Sequence, residues 1–240
     1  MAIEPLTLVN GISCIIYSGI CAIVGLKIAS RYFKFRNKVF LFMGISWALV
    51  ASVFWPASLS ILLYLTTGQG LSLQMFLLIG HWETSWLIVL ITAAYTEIKF
   101  KAKQKILILI TVIHAILMNI YLFYFAIIDP SIIGVHVGIT DNVYHGAWSY
   151  YLIFVISFVV FIGILISLES LKSDNPEIKL KGKFLLAAWI LCFIGCVLDA
   201  LLTHTIFSLF ITRLILVLSS LLFYFGFFLP HPFKKSLATE

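Results

Sequence analysis

The stretch KFKAKQKILILITVIHAILMNIYLFYFAII, residues 99–128, decides the fold. Lys99, Lys101, Lys103 and Lys105 alternate through its first seven positions, and from Ile106 to Ile128 there is no Asp, Glu, Lys or Arg. An α-helix rises 1.5 Å per residue, so this run covers about 35 Å, more than the roughly 30 Å hydrocarbon core of a bilayer. A basic segment ending where such a run begins marks a cytoplasmic loop entering a transmembrane helix.

Six more runs of this kind lie outward of it, near residues 8–30, 39–65, 72–96, 147–170, 184–205 and 207–229. Across the 240 residues, 62% are hydrophobic and 11% charged, with mean hydropathy +1.11. Soluble domains carry about twice that charge, so the composition excludes them. The expectation is an all-α, polytopic seven-helix transmembrane bundle, one domain over residues 1–240, with no room for an appended kinase or nucleic-acid module. The net charge of +6 does not imply nucleic acid. Its bases lie between apolar runs, where they set topology and meet lipid headgroups.

Fifteen of the sixteen bases fall on one side. Lys27, Arg31, Lys34, Arg36 and Lys38 surround the first connection, the four lysines above fill the third, and Lys172, Lys179, Lys181 and Lys183 the fifth. Lys234 and Lys235 lie in the tail. The positive-inside rule then puts the N-terminus outside, the C-terminus in the cytoplasm and the chain in the cell membrane. The first run lacks a basic n-region and reads as a retained helix. Cys14, Cys21, Cys192 and Cys196 all lie in apolar runs, which argues against a disulfide framework. Pro56 is expected to kink the second span. Tyr32, Tyr64 and Trp148 fit interfacial belts. In the long fourth connection Ile133, Val135, Val137 and Ile139 alternate with Gly134, His136 and Gly138, the pattern of a short hairpin or of an ordinary loop over the outer mouth.

Ionisable side chains are costly in hydrocarbon and face partners, so three stand out: Glu83, Asp199 and Arg213. Asp199 lies about six residues before the outer end of the sixth span, and Arg213 about six after the start of the seventh. Both therefore sit roughly 9 Å deep, in reach of each other. Trp189, Cys192, Cys196, Asp199 and Thr203 share one stripe; Arg213, Ser220 and Tyr224 share another, and the two are expected to line a polar seam. Cys192 and Cys196 have metal-pair spacing but no His companions, so packed thiols are the reading and no metal is assigned. Glu83, in His81-Trp82-Glu83-Thr84-Ser85-Trp86, needs a partner from another helix: Arg213, His114 or water. His114 and Asn119 are candidates for interhelical hydrogen bonds.

No catalytic set emerges. The run around Glu83 is similar to the aromatic-and-acid stretch of the rhodopsin third helix. Retinal needs a Schiff-base lysine in the seventh span, and residues 207–229 contain none, so no cofactor is expected. The segment Asn175-Pro176-Glu177-Ile178-Lys179-Leu180-Lys181-Gly182-Lys183, with Arg213 and the ending Phe223-Tyr224-Phe225-Gly226 to Leu229-Pro230, resembles uncharacterised archaeal seven-helix membrane proteins. Those are similar to the seven-helix sensor regions of prokaryotic histidine kinases. The resemblance implies no assigned function. The receptor-like topology, the loop over the outer mouth and the lack of a catalytic set lead instead to the expectation of a sensor or receptor-like protein that binds a small ligand in its outer half and contacts a cytoplasmic or membrane partner. The alternative is a small-solute or proton-coupled transporter using Glu83.

Overall fold

The computed structural model describes residues 3–230. Lys234 and Lys235, and with them the tail, lie outside the described residues. Among the described residues, seven helical spans are long and apolar enough to cross a membrane. The first comprises α1 (Pro5–Ala29) and the short α2 (Arg31–Phe35); the second, α3 (Lys38–Val50) and α4 (Trp55–Thr67); the third, α5 (Leu73–His81) and α6 (Thr84–Ile98). The remaining four are α7 (Gln104–Ile128), α8 (Gly146–Leu171), α9 (Pro176–Leu201) and α10 (Ile206–Phe227).

Local chemistry sets the helix ends. Asn37 and Ser72 accept from the backbone of Val39 and Met75 to cap α3 and α5. Gly68, at φ 77°, closes α4 in the left-handed conformation that a Cβ disfavours. Asn175 caps α9, with Pro176 and Glu177 in its first turn, so the sixth span starts at residue 176 rather than 184. Hydropathy missed that turn because Glu177, Lys179, Lys181 and Lys183 make it polar while leaving it helical. Residues 202–205 lie beyond α9, and a reciprocal Thr205–Ser208 capping box opens α10.

Two spans are interrupted. A 3₁₀ turn, Ser52–Phe54, separates α3 from α4, and Pro56 sits in the first turn of α4, where its missing N–H costs nothing. Trp82 and Glu83 form a turn between α5 and α6. The 3₁₀ turn packs against α5, so the two interruptions are neighbours.

The spans close a ring in which the first touches the second and seventh, the third joins the second to the fifth, and the sixth packs between the fifth and seventh. The fourth lies outside the third, with only 11% of its span buried. Gly25 and Gly44 bring α1 and α3 to backbone contact; a Cβ on either would overlap main-chain atoms of the other helix. The half of the core toward the basic connections is aromatic. Trp47 stacks on Phe223 with ring centroids 3.6 Å apart, and Trp189 meets both edge-on. Trp148 is buried against His81, Tyr121 and Tyr151, so it belongs to the core and not to an interfacial belt. All four cysteines are free thiols.

Of the two readings of the fourth connection, the hairpin forms. Strand β1 (Gly134–His136) pairs antiparallel with β2 (Asn142–Tyr144), in the register Gly134↔Tyr144.

Candidate functional site

The tip of that hairpin turns into the bundle and is held at three successive residues. The Ser60 hydroxyl on α4 donates to the Ile139 carbonyl at 2.6 Å. The Asn10 amide on α1 donates to the Thr140 carbonyl at 3.1 Å. Asp141 meets the Nδ1 of His204, in the α9–α10 connection, at 2.7 Å. The other edge of the hairpin leans on α5, with His136 against Phe76 and Tyr144 against His81.

Asn10 also accepts, through Oδ1, from Nη2 of Arg213 at 3.0 Å. Nη1 of Arg213 reaches Asp199 at 2.5 Å, and Thr212 donates to the same carboxylate oxygen at 3.3 Å. His204 closes the circuit, its Nε2 lying 3.1 Å from the Asp199 carbonyl. Four elements are thereby tied: α1, the hairpin, α9 and α10. Arg213 is buried, so its pairing with Asp199 offsets a large desolvation cost. Its guanidinium carbon also lies 4.5 Å from the centroid of Phe54, in the 3₁₀ turn of the second span.

Both neighbours of the His204 ring, the Asp141 carboxylate and the Asp199 carbonyl, are acceptors. Both ring nitrogens can donate to them only as imidazolium. The Asp141 hydrogen bond accordingly pushes His204 up to about 9, above its ordinary 6.5, against the opposing effect of partial burial. Burial pushes the Tyr144 hydroxyl upward as well.

One guanidinium donor is spare. Nε of Arg213 is buried and has no hydrogen-bond partner among the described residues. Arg213 also lines a mostly apolar cavity of about 220 Å³ between α1 and α10, together with Ser13, Ile16, Phe210, Leu214 and Val217.

Glu83 is apart from this cluster. It is 1% exposed, and neither carboxylate oxygen has a hydrogen-bond partner among the described residues. Ser52, in the neighbouring interruption, lies close to it without reaching hydrogen-bond geometry. Arg213 is engaged by Asp199 and Asn10, and His114 lies against Tyr151 and Phe154, so neither serves Glu83. The 3₁₀ turn still links the two places, presenting Phe54 to Arg213 and Ser52 to Glu83.

No known protein-family model matches the chain, and no curated protein matches it.

The remaining candidates separate. Asn119 donates to Ala115 of its own helix at 2.9 Å, not across helices as expected. Tyr224 lies at the basic end, with Lys27 5.0 Å from its ring centroid and Phe228 stacked on it, far from Arg213. Thr203 is outside α9, and Ser220 of the expected seam bonds the Cys21 thiol of α1 at 3.2 Å. Toward the basic end Trp189 and Phe223 fill the seam. Among the described residues no three His, Cys, Asp or Glu side chains group as metal ligands. Sequence reasoning overlooked Asn10, Thr140, Asp141 and His204. Asn10, an amide inside an apolar run, was the one readable signal.

Proposed function

We propose that this chain is a receptor-like sensor of the cell membrane, with its N-terminus outside, its C-terminus in the cytoplasm, and a small ligand bound in the outer half. The bias of bases toward one end supports the orientation. The observation that carries the sensor reading is Arg213. The residue lines the cavity between α1 and α10, while its Nη1 holds Asp199 and its Nη2 holds, through Asn10, the hairpin tip. A ligand there acts on the same side chain that ties the hairpin to three helices. The cavity is apolar apart from Arg213 and Ser13, which suits a small organic anion with an apolar body. A cytoplasmic or membrane partner reads the resulting helix shift from the basic connections.

Native mass spectrometry of gently solubilised protein tests this. A co-purifying organic anion, lost in Arg213→Gln and in the cavity-filling Val217→Trp, is the expected result. The second variant leaves the Asp199 pair intact. Protein that carries no such adduct, or an adduct that survives both variants, contradicts the reading.

A second reading is favoured by one observation, the buried and unpartnered Glu83 beside two helix interruptions. Interrupted helices around an intramembrane acid are a feature of ion-coupled transporters. Against it, Trp47, Phe223 and Trp189 pack together in the half toward the basic end. Proton flux in proteoliposomes that disappears in Glu83→Gln would establish transport; no flux under an imposed gradient would remove it.

A further inference from the structure

A cavity of about 440 Å³ opens at the basic end, lined by Arg31, Lys181 and Glu177 together with Phe35, Phe40, Phe227, Phe228 and Leu229. We infer that it holds the phosphate of an anionic phospholipid, with the phenylalanines walling the lipid's glycerol and first methylenes. It lies at the other end of the bundle from Arg213 and does not depend on the sensor reading.

The arrangement of Arg31 carries the inference. Its guanidinium carbon lies 4.4 Å from the centroid of Phe228 and 5.7 Å from that of Phe35, and among the described residues it pairs with no carboxylate. A guanidinium lying over a ring spends none of its N–H groups on a hydrogen bond to it, so its N–H fork stays available to grip a phosphate bidentately. Lys181 is paired with Glu177 at 2.7 Å, which fixes its position, and Glu177 is the one acid among the described lining residues. One turn along α1, Lys27 lies over Tyr224 and 5.9 Å from the Phe228 centroid, adding a third positive charge to the same aromatic face.

The volume falls within the roughly 300–1,000 Å³ of small-molecule sites. A free phosphate would have no use for four phenylalanine walls. A lipid has, because its headgroup and its first methylenes meet at the level where basic connections end and apolar spans begin. Phe33 and Phe35, both exposed, continue the apolar surface from the rim of the cavity.

The test is thermal unfolding of the full chain in a neutral detergent, titrated separately with phosphatidylglycerol, phosphatidylcholine and inorganic phosphate. Phosphatidylglycerol is expected to raise the unfolding midpoint saturably, while the other two leave it unchanged. Arg31→Gln combined with Lys181→Gln is expected to raise the half-saturating phosphatidylglycerol concentration at least tenfold, with the lipid-free midpoint unchanged. Should that double variant fail to fold, Phe228→Ala, which keeps every charge, is expected to weaken the response in the same direction. An equal response to phosphatidylcholine, or to inorganic phosphate, overturns the assignment, the latter in favour of a soluble anion. Unchanged half-saturation in the variants overturns it too. So does a response that appears only when the chain is ended at Pro230, which would give the cavity to the last ten residues.

Discussion

Replacing Arg213 with methionine removes four interactions at once: the 2.5 Å pair with Asp199, the 3.0 Å bond to Asn10, the 3.7 Å bond to the Cys14 sulfur and the contact with the Phe54 ring. Methionine fills most of the volume, so the cost is chiefly electrostatic. Removing one partner of a buried pair costs about 3–5 kcal/mol, because the other charge is left uncompensated. Two features lower this figure. Asp199 is 16% exposed and keeps its bond from Thr212, and unfolded helices in a membrane find substitute partners. The expected loss is about 3 kcal/mol. Removing both charges, in Arg213→Met with Asp199→Leu, leaves nothing unpaired and should recover at least half of it, since apolar replacement of a whole buried pair is often neutral. Reversible unfolding in mixed micelles, by far-ultraviolet circular dichroism, gives the four corners of the cycle. A coupling of about 1.5 kcal/mol or more is expected. Single and double variants equally destabilised, or a single variant as stable as the parent, would refute the reasoning.

Other variants probe separate parts of the fold. The folded state holds His204 above its unfolded value, so the stabilisation is complete below about pH 6.5 and is lost as pH rises through about 9. The pair is partly exposed, which limits this to the order of 1 kcal/mol. Unfolding midpoints of the parent between pH 6 and 10 should fall toward those of His204→Gln, whose own profile lacks that step. Gly163 packs on the face of the Trp189 indole, where any Cβ overlaps the ring, so Gly163→Val should cost about 1–3 kcal/mol and shift tryptophan fluorescence. Glu83→Gln strands no partner and should leave the midpoint unchanged or raised, whereas a loss above about 1 kcal/mol would reveal a cationic partner.

The spans were legible because an apolar run of about 20 residues is a one-dimensional signal. The depth of Asp199 and Arg213 could be counted from a tight turn between two antiparallel helices. The interruptions at Ser52–Phe54 and at Trp82–Glu83 could not, since both halves of each span are apolar and hydropathy ignores backbone geometry. Pro56 indicated a kink, and a 3₁₀ turn with a fresh helix start stands in its place. The site was less legible still. Asn10 and Arg213 are 203 residues apart, and Asn10 and Thr140 are 130 apart. Nothing in either local sequence announces the other. Tyr224 illustrates the opposite failure, because sharing a helical face with Arg213 says nothing about depth. Eleven residues along α10 is about 16 Å, enough to move it to the basic end.

The central claim is that the hairpin is held in the bundle by Asn10 and, through it, by Arg213. Hydrogen exchange of residues 134–144 in lipid nanodiscs, read by mass spectrometry, tests it most directly. The account predicts protected amides in the parent, at least tenfold faster exchange in Asn10→Leu, and no change in α8. A hairpin that exchanges in the parent as fast as an unstructured peptide, or one indifferent to Asn10, would contradict it.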